Sequence, residues 1–184
     1  MKTHRILSIL AALFAFCGAA PIHAQGLFDP PALLTAAQQG DFAWAQKLLL
    51  GGANPNATDE RGVTPLILAA RKNEPALVKL LLEHRASPAR KDKAGQTPLY
   101  HAAEKAGKDV IEALLSKSAR VDDPDNQGVT PLMAAARSDN AEAVTALLKA
   151  GASTKKQDFT GRDALTYAQE SRARRVLPLL EAKR

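Results

Sequence analysis

Apolar residues recur along this chain in short clusters at helical spacing, divided by polar turns. Leu66, Ala69 and Ala70 fall on one face of a short helix, and Leu77, Val78, Leu81 and Leu82 on one face of a second. Gly51-Gly52-Ala53-Asn54, and later Gly151-Ala152, supply the chemistry that ends a helix and turns the chain. The pattern returns every 33 residues. GVTPLILAA at 62–70 becomes GQTPLYHAA at 95–103 and GVTPLMAAA at 128–136. Gly62, Gly95, Gly128 and Gly161 keep the step, as do Asp59, Asp92, Asp125 and Asp158. The pairs Leu48-Leu49, Leu81-Leu82, Leu114-Leu115 and Leu147-Leu148 keep it too. One such unit cannot bury its own apolar face, whereas stacked units bury a continuous core between them.

Each position in the unit has a local reason. Gly62 can take a positive φ in a tight turn. The Thr64 hydroxyl can accept from an open backbone N–H at the helix start. Pro65 follows at the first helical position, where its missing donor costs nothing. The paired alanines let a neighbouring helix approach closely.

The turn glycine, the Thr-Pro-Leu cap, the paired alanines, the paired leucines and the 33-residue period resemble the ankyrin repeat, over about residues 31–184. The resemblance implies an all-α solenoid with two antiparallel helices per unit and a β-hairpin finger between units. About five units are expected, at 30–61, 62–94, 95–127, 128–160 and 161–184, with atypical capping units at both ends. Pro31-Ala32-Leu33 and Asp163-Ala164-Leu165 replace the cap triplet in those end units. Pro178 is expected to make the last helix start late or kink. Arg85 and Ser118 stand where the family places the glycines found at Gly52 and Gly151, so strained caps are expected there. Ala106 replaces a glycine between the helices of the third unit.

Composition refines this picture. A length of 184 residues suits one domain, and 46% hydrophobic with only 4% aromatic residues means a core of leucine, alanine and valine. Residues 1–24 read as a cleaved secretory signal, and residues 25–184 as the repeat domain. Lys2 and Arg5 precede an apolar run from Ile6 to Phe16, and Ala20 to Ala24 form the cleavage region. A lipoprotein signal ending at Cys17 is the rival, but Phe16 sits where that processing wants a small residue. Cleavage removes Cys17, the single cysteine, so no disulfide or cysteine metal site is expected. It also removes Lys2 and Arg5 from the 25 basic residues, leaving 23 against 19 acidic, a balance of +4. No second apolar run approaches spanning length, so no stable membrane insertion is expected.

A search for chemistry gives little. His84 and His101 are read as a helix-end and a packed side chain, since no HExxH, CxxC or His/Asp cluster accompanies them. No serine sits in a G-x-S-x-G elbow. Gly107-Lys108 ends like a phosphate loop without its leading glycine or closing hydroxyl. Stacking spaces the four finger aspartates about 10 Å apart, too far to share a calcium ion, so turn capping is their expected role. Asp122, Asp123 and Asp125 form a local acidic knot and the weaker divalent candidate. Asn56-Ala57-Thr58 fits a glycosylation sequon. Trp44, among Leu33, Leu48 and Leu49, is expected to pack in the core or cap its end. Scattered basic residues without interleaved aromatics argue against nucleic acid. No enzyme activity and no cofactor are expected.

Binding is therefore the expected work, with a protein as partner and the chain itself a monomer. In the family, partners dock on finger tips and the exposed side of the first helices. The matching tip positions here are Glu60, Arg61 and Val63; Lys93, Ala94 and Gln96; Asn126, Gln127 and Val129; Phe159, Thr160 and Arg162. The first-helix positions are Gln38, Gln39, Arg71, Lys72, Glu104, Lys105, Arg137 and Ser138. Basic residues outnumber acidic ones on this face, so an electropositive groove for an acidic segment is expected. Phe159, the aromatic at these tips, is the anchor candidate. Arg172, Arg174 and Arg175 form a second, smaller basic cluster. A periplasmic adaptor or stabiliser is the expected role, the alternative is a secreted effector acting on a host protein, and an enzyme with a site built across repeats ranks third. Retention with periplasmic markers or release into the medium would separate the first two.

Overall fold

The computed structural model describes residues 31–105 and 107–183. The signal region and Ala106 lie outside the described residues. Among those described, ten helices follow one another in pairs. They are α1 (Ala32–Gln39), α2 (Phe42–Leu50), α3 (Pro65–Arg71), α4 (Pro75–Glu83) and α5 (Pro98–Lys105). After them come α6 (Lys108–Ser116), α7 (Pro131–Arg137), α8 (Ala141–Lys149), α9 (Ala164–Glu170) and α10 (Leu177–Glu181). The odd-numbered helices stack in one layer, α1 on α3 on α5 on α7 on α9, and the even-numbered helices form the second.

Cap chemistry starts the inner-layer helices. Thr64 Oγ1 accepts from Ile67 N at 3.2 Å, and Thr97 Oγ1 accepts from Tyr100 N at 3.1 Å. Thr130 Oγ1 accepts from Met133 N, and in the atypical last unit Asp163 Oδ1 accepts from Thr166 N at 2.8 Å. Pro65, Pro98 and Pro131 open their helices, where no intrahelical donor is needed. Pro178 sits in the first turn of α10, so that helix starts late and is short. The core is the one the repeat implies. Leu66, Leu99 and Leu132 are fully buried, as are the alanine pairs at 69–70, 102–103 and 135–136. Alanine contacts bring adjacent inner helices close enough for leucines above and below to interlock. Trp44 is half-buried and lines a hollow at the N-terminal end with Leu33 and Leu48.

The fingers are tight turns, and no described residue forms a strand. The expected β-hairpin is cut down to one backbone bond between its two sides, Asp59 N to Val63 O at 3.2 Å and its repeats at Asp92, Asp125 and Asp158, and the aspartate side chain takes further donors in the turn. Asp59 Oδ1 accepts from Arg61 N and Val63 N, at 2.9 and 2.8 Å. Asp92, Asp125 and Asp158 repeat this pattern at the next three fingers. One backbone bond then joins each finger to its neighbour: Lys93 N to Arg61 O, Asn126 N to Ala94 O, and Phe159 N to Gln127 O.

Two outer-layer caps carry strain. Gly52 and Gly151 end α2 and α8 with φ of 85° and 87°, but Arg85 and Ser118 hold the same left-handed conformation at 65° and 64°. A Cβ in this region costs roughly 1–2 kcal/mol. Arg85→Gly and Ser118→Gly are each expected to raise the unfolding free energy by about 1 kcal/mol. Urea titrations followed by circular dichroism check this, and a lower midpoint for either variant would contradict it.

Candidate functional site

The finger tips and the ends of the inner helices lie side by side, because the finger aspartates reach back to the helices. His101 Nε2 lies 3.0 Å from Asp92 Oδ2, with both side chains nearly buried. Tyr167 stands at the equivalent place in the last unit, and its hydroxyl donates to Asp158 Oδ2 at 2.7 Å. In both cases one carboxylate oxygen closes the turn and the other ties the finger to its helix. The signal for this was an aspartate followed nine residues later by a histidine or tyrosine, a spacing that the repeat alone does not single out.

The fourth position of each finger points inward. Val63 and Val129, expected at the tips, are 5% and 1% exposed. Their backbone N–H groups are held by the finger aspartate, which turns the side chain under the loop. Gln96 and Arg162 occupy the same position and are only partly exposed. The outer tips are Glu60, Arg61, Lys93, Asn126, Gln127 and Phe159, all exposed. Asn126 also donates through Nδ2 to Lys93 O at 2.9 Å, which fixes two adjacent tips to each other.

Charge divides along the stack. In the C-terminal half the two arginines of this face, Arg137 and Arg162, are neutralised. Arg137 Nη2 donates to Glu104 Oε1 at 2.6 Å and to Tyr100 Oη at 3.1 Å. Arg162 donates to Asp158 Oδ2 at 2.9 and 3.1 Å and reaches Glu170 at 3.4 Å. The Tyr167 ring lies beneath both guanidiniums, 4.6 Å from Arg162 and 5.9 Å from Arg137. Arg137 and Arg162 thus hold the fold and are not spare cations for a partner. In the N-terminal half, no carboxylate among the described residues lies within ion-pair distance of Arg71, Lys72, Lys93 or Lys105. Lys72 Nζ donates to Gln38 O at 2.7 Å, a neutral acceptor. Arg61 lies 3.7 Å from Asp59 and is mostly exposed.

The network shifts its own acids. Burial alone would raise Asp158, but donors from Thr160, the Arg162 backbone, Tyr167 and the Arg162 guanidinium hold its carboxyl far below the usual range. Tyr167 is pushed up to about 12 by burial and by the adjacent Asp158 carboxylate. Burial likewise raises Tyr100, with Arg137 acting against it.

Other sequence candidates have structural occupations. Asp123 pairs with Lys91 at 2.9 Å, and Asp122 accepts from Ser153 N, so the acidic knot is shared among neighbouring units. The Asn56 amide is used at both ends, donating to Arg85 O at 3.1 Å and accepting from Ser87 N at 2.7 Å. The sequon residue is thereby a staple between units. Among the described residues, no group of three or more His, Cys, Asp or Glu side chains is placed to hold a metal ion. No described helix is long and apolar enough to cross a membrane.

A rigid all-α repeat stack that presents a row of loop tips beside helix ends is the build of a binding scaffold. The family model for ankyrin repeats, described as three copies, matches residues 33–125 and 119–183. The chain belongs to the ankyrin-repeat family, whose members are generally protein–protein interaction modules and typically non-catalytic. A search of curated proteins finds no match.

Proposed function

We propose that this chain is an exported, non-catalytic binding module that acts as an adaptor or stabiliser of another protein in the periplasm. The signal-like residues 1–24 motivate the location. The observation that carries the binding reading is the positive row of Arg71, Lys72, Lys93 and Lys105, which have no carboxylate among the described residues within ion-pair distance, with the mostly exposed Arg61 beside them. Cations without carboxylate partners on a rigid surface steer an acidic partner and fix its register. Scaffold rigidity lowers the ordering cost of binding.

The test uses mature protein from Gln25 as bait in the native exported fraction. The variant Arg61→Glu, Lys72→Glu, Lys93→Glu, Lys105→Glu is its control, matched for helicity. The expected result is one protein held by the wild type and weakened at least about tenfold in the variant. Equal capture by both would move the interface off this face.

A further inference from the structure

We propose that the face recognises an extended segment of a particular composition: carboxylates at one end, over Lys93 and Lys105, and a large apolar side chain at the other, packed on Phe159. This rests on the binding-face reading above and gives it a direction along the stack.

Three observations converge on it. The first is the charge division. Along the finger tips and the ends of the inner helices, a partner's acidic side chains find uncommitted Lys93 and Lys105 toward the N-terminal half, whereas Arg137 and Arg162 are already paired with Glu104, Asp158 and Glu170.

The second is Phe159. Of the large apolar side chains exposed among the described residues, Phe42 and Leu50 lie on α2, and Phe159 alone stands on the finger row. It is 81% exposed. Its place is nonetheless defined. A Cβ built on Gly128 would lie 3.0 Å from Phe159 Cδ1, so the ring rests against bare glycine backbone with its other side open. The Phe159 backbone is tied to Gln127 by a 3.0 Å hydrogen bond. An aromatic held in this way gives contact area at low entropic cost, the property of an anchor.

The third is the continuity of the row. Backbone bonds link the fingers in sequence from Arg61 to Lys93, Ala94 to Asn126 and Gln127 to Phe159. Between the cations and Phe159 lie the uncharged Asn126 and Gln127. Two helix spacings separate the Lys93 finger from the Phe159 finger, about 18 Å. An extended chain covers that in about six residues. The ligand is therefore an acidic cluster followed, about six residues away, by Phe, Leu or a similar side chain. A nucleic acid would need several aromatics interleaved with the cations, and Phe159 is the one large apolar side chain exposed on the finger row among the described residues.

The experiment is fluorescence anisotropy with labelled synthetic peptides on the mature protein. One peptide carries three glutamates and a phenylalanine about six residues on. Its companions replace the glutamates by glutamine, replace the phenylalanine by serine, or move the phenylalanine next to the glutamates. The expected result is tightest binding by the first, with each change weakening it about fivefold or more. Phe159→Ala should lower affinity for the first peptide to that of the serine peptide and leave the serine peptide unaffected. Lys93→Glu with Lys105→Glu should weaken all three glutamate-containing peptides. Circular dichroism confirms that each variant keeps its helices. If acidic peptides bind regardless of the phenylalanine and of Phe159, the two-ended recognition is wrong while the positive face stands. If no peptide binds, or binding ignores all these substitutions, both readings fall.

Discussion

Gly95→Ala is expected to lower the unfolding free energy by about 2–4 kcal/mol. Gly95 has a φ of 81°, where any Cβ is strained. It is also buried against the next finger. An added Cβ would lie 2.6 Å from Asn126 N and would also overlap Asn126 Oδ1. The first of these is backbone, held by its own bond to Ala94 O, so relief requires separating two fingers. Gly161 is the control. Its φ is 84°, but nothing lies within 4 Å of the position a Cβ would take. Gly161→Ala should therefore cost only the conformational part, about 1–2 kcal/mol. Urea titration of both variants measures the difference, which is the packing contribution. Equal losses would mean that the fingers yield without penalty.

Asp158→Asn is expected to cost on the order of 3 kcal/mol at neutral pH. The substitution keeps the shape but removes the charge that Arg162 and Tyr167 share, and it turns an amide donor toward their donors. The pH dependence identifies the cause. Asp158 titrates lower in the folded protein than its ordinary 3.8, so its stabilisation is present above about pH 4 and is lost as pH falls below that. The gap between wild type and variant should narrow on acidification from pH 5 to 3. A gap that stays constant would show that the carboxylate is not the source. Tyr167 works in the opposite sense. Its hydroxyl is raised from 10.0 to about 12, so its contribution is full below pH 10 and disappears as pH climbs through about 12. Tyr167→Phe should remove that alkaline loss.

These two sites also show why some of the surface was legible in advance and some was not. Arg61, Lys93 and Phe159 are exposed tips, as their place in the turn implied. Gln96 and Arg162 belong to the inward position because the finger aspartate binds the N–H at that residue. Counting charges on a turn does not reveal which of its residues the turn folds under. Nor does it reveal that Arg137 faces Glu104 from the next unit, a pairing across 33 residues.

The architecture itself was open to reading because it is local and repeated. Helix starts, turn glycines, capping aspartates and apolar faces are each set within a few residues, and the 33-residue period copies them in register. Stacking then follows, since no unit buries its own apolar face. The strain at Arg85 and Ser118 and the late start at Pro178 belong to the same local physics. The division of the binding face does not. Whether a cation is spent or free depends on the rotamer and reach of side chains from different units. That is fixed only when stacking brings Asp158, Tyr167 and Arg162, or Glu104 and Arg137, within hydrogen-bonding distance. Tertiary packing thus turned an evenly basic row into one with free charge at one end and an aromatic at the other.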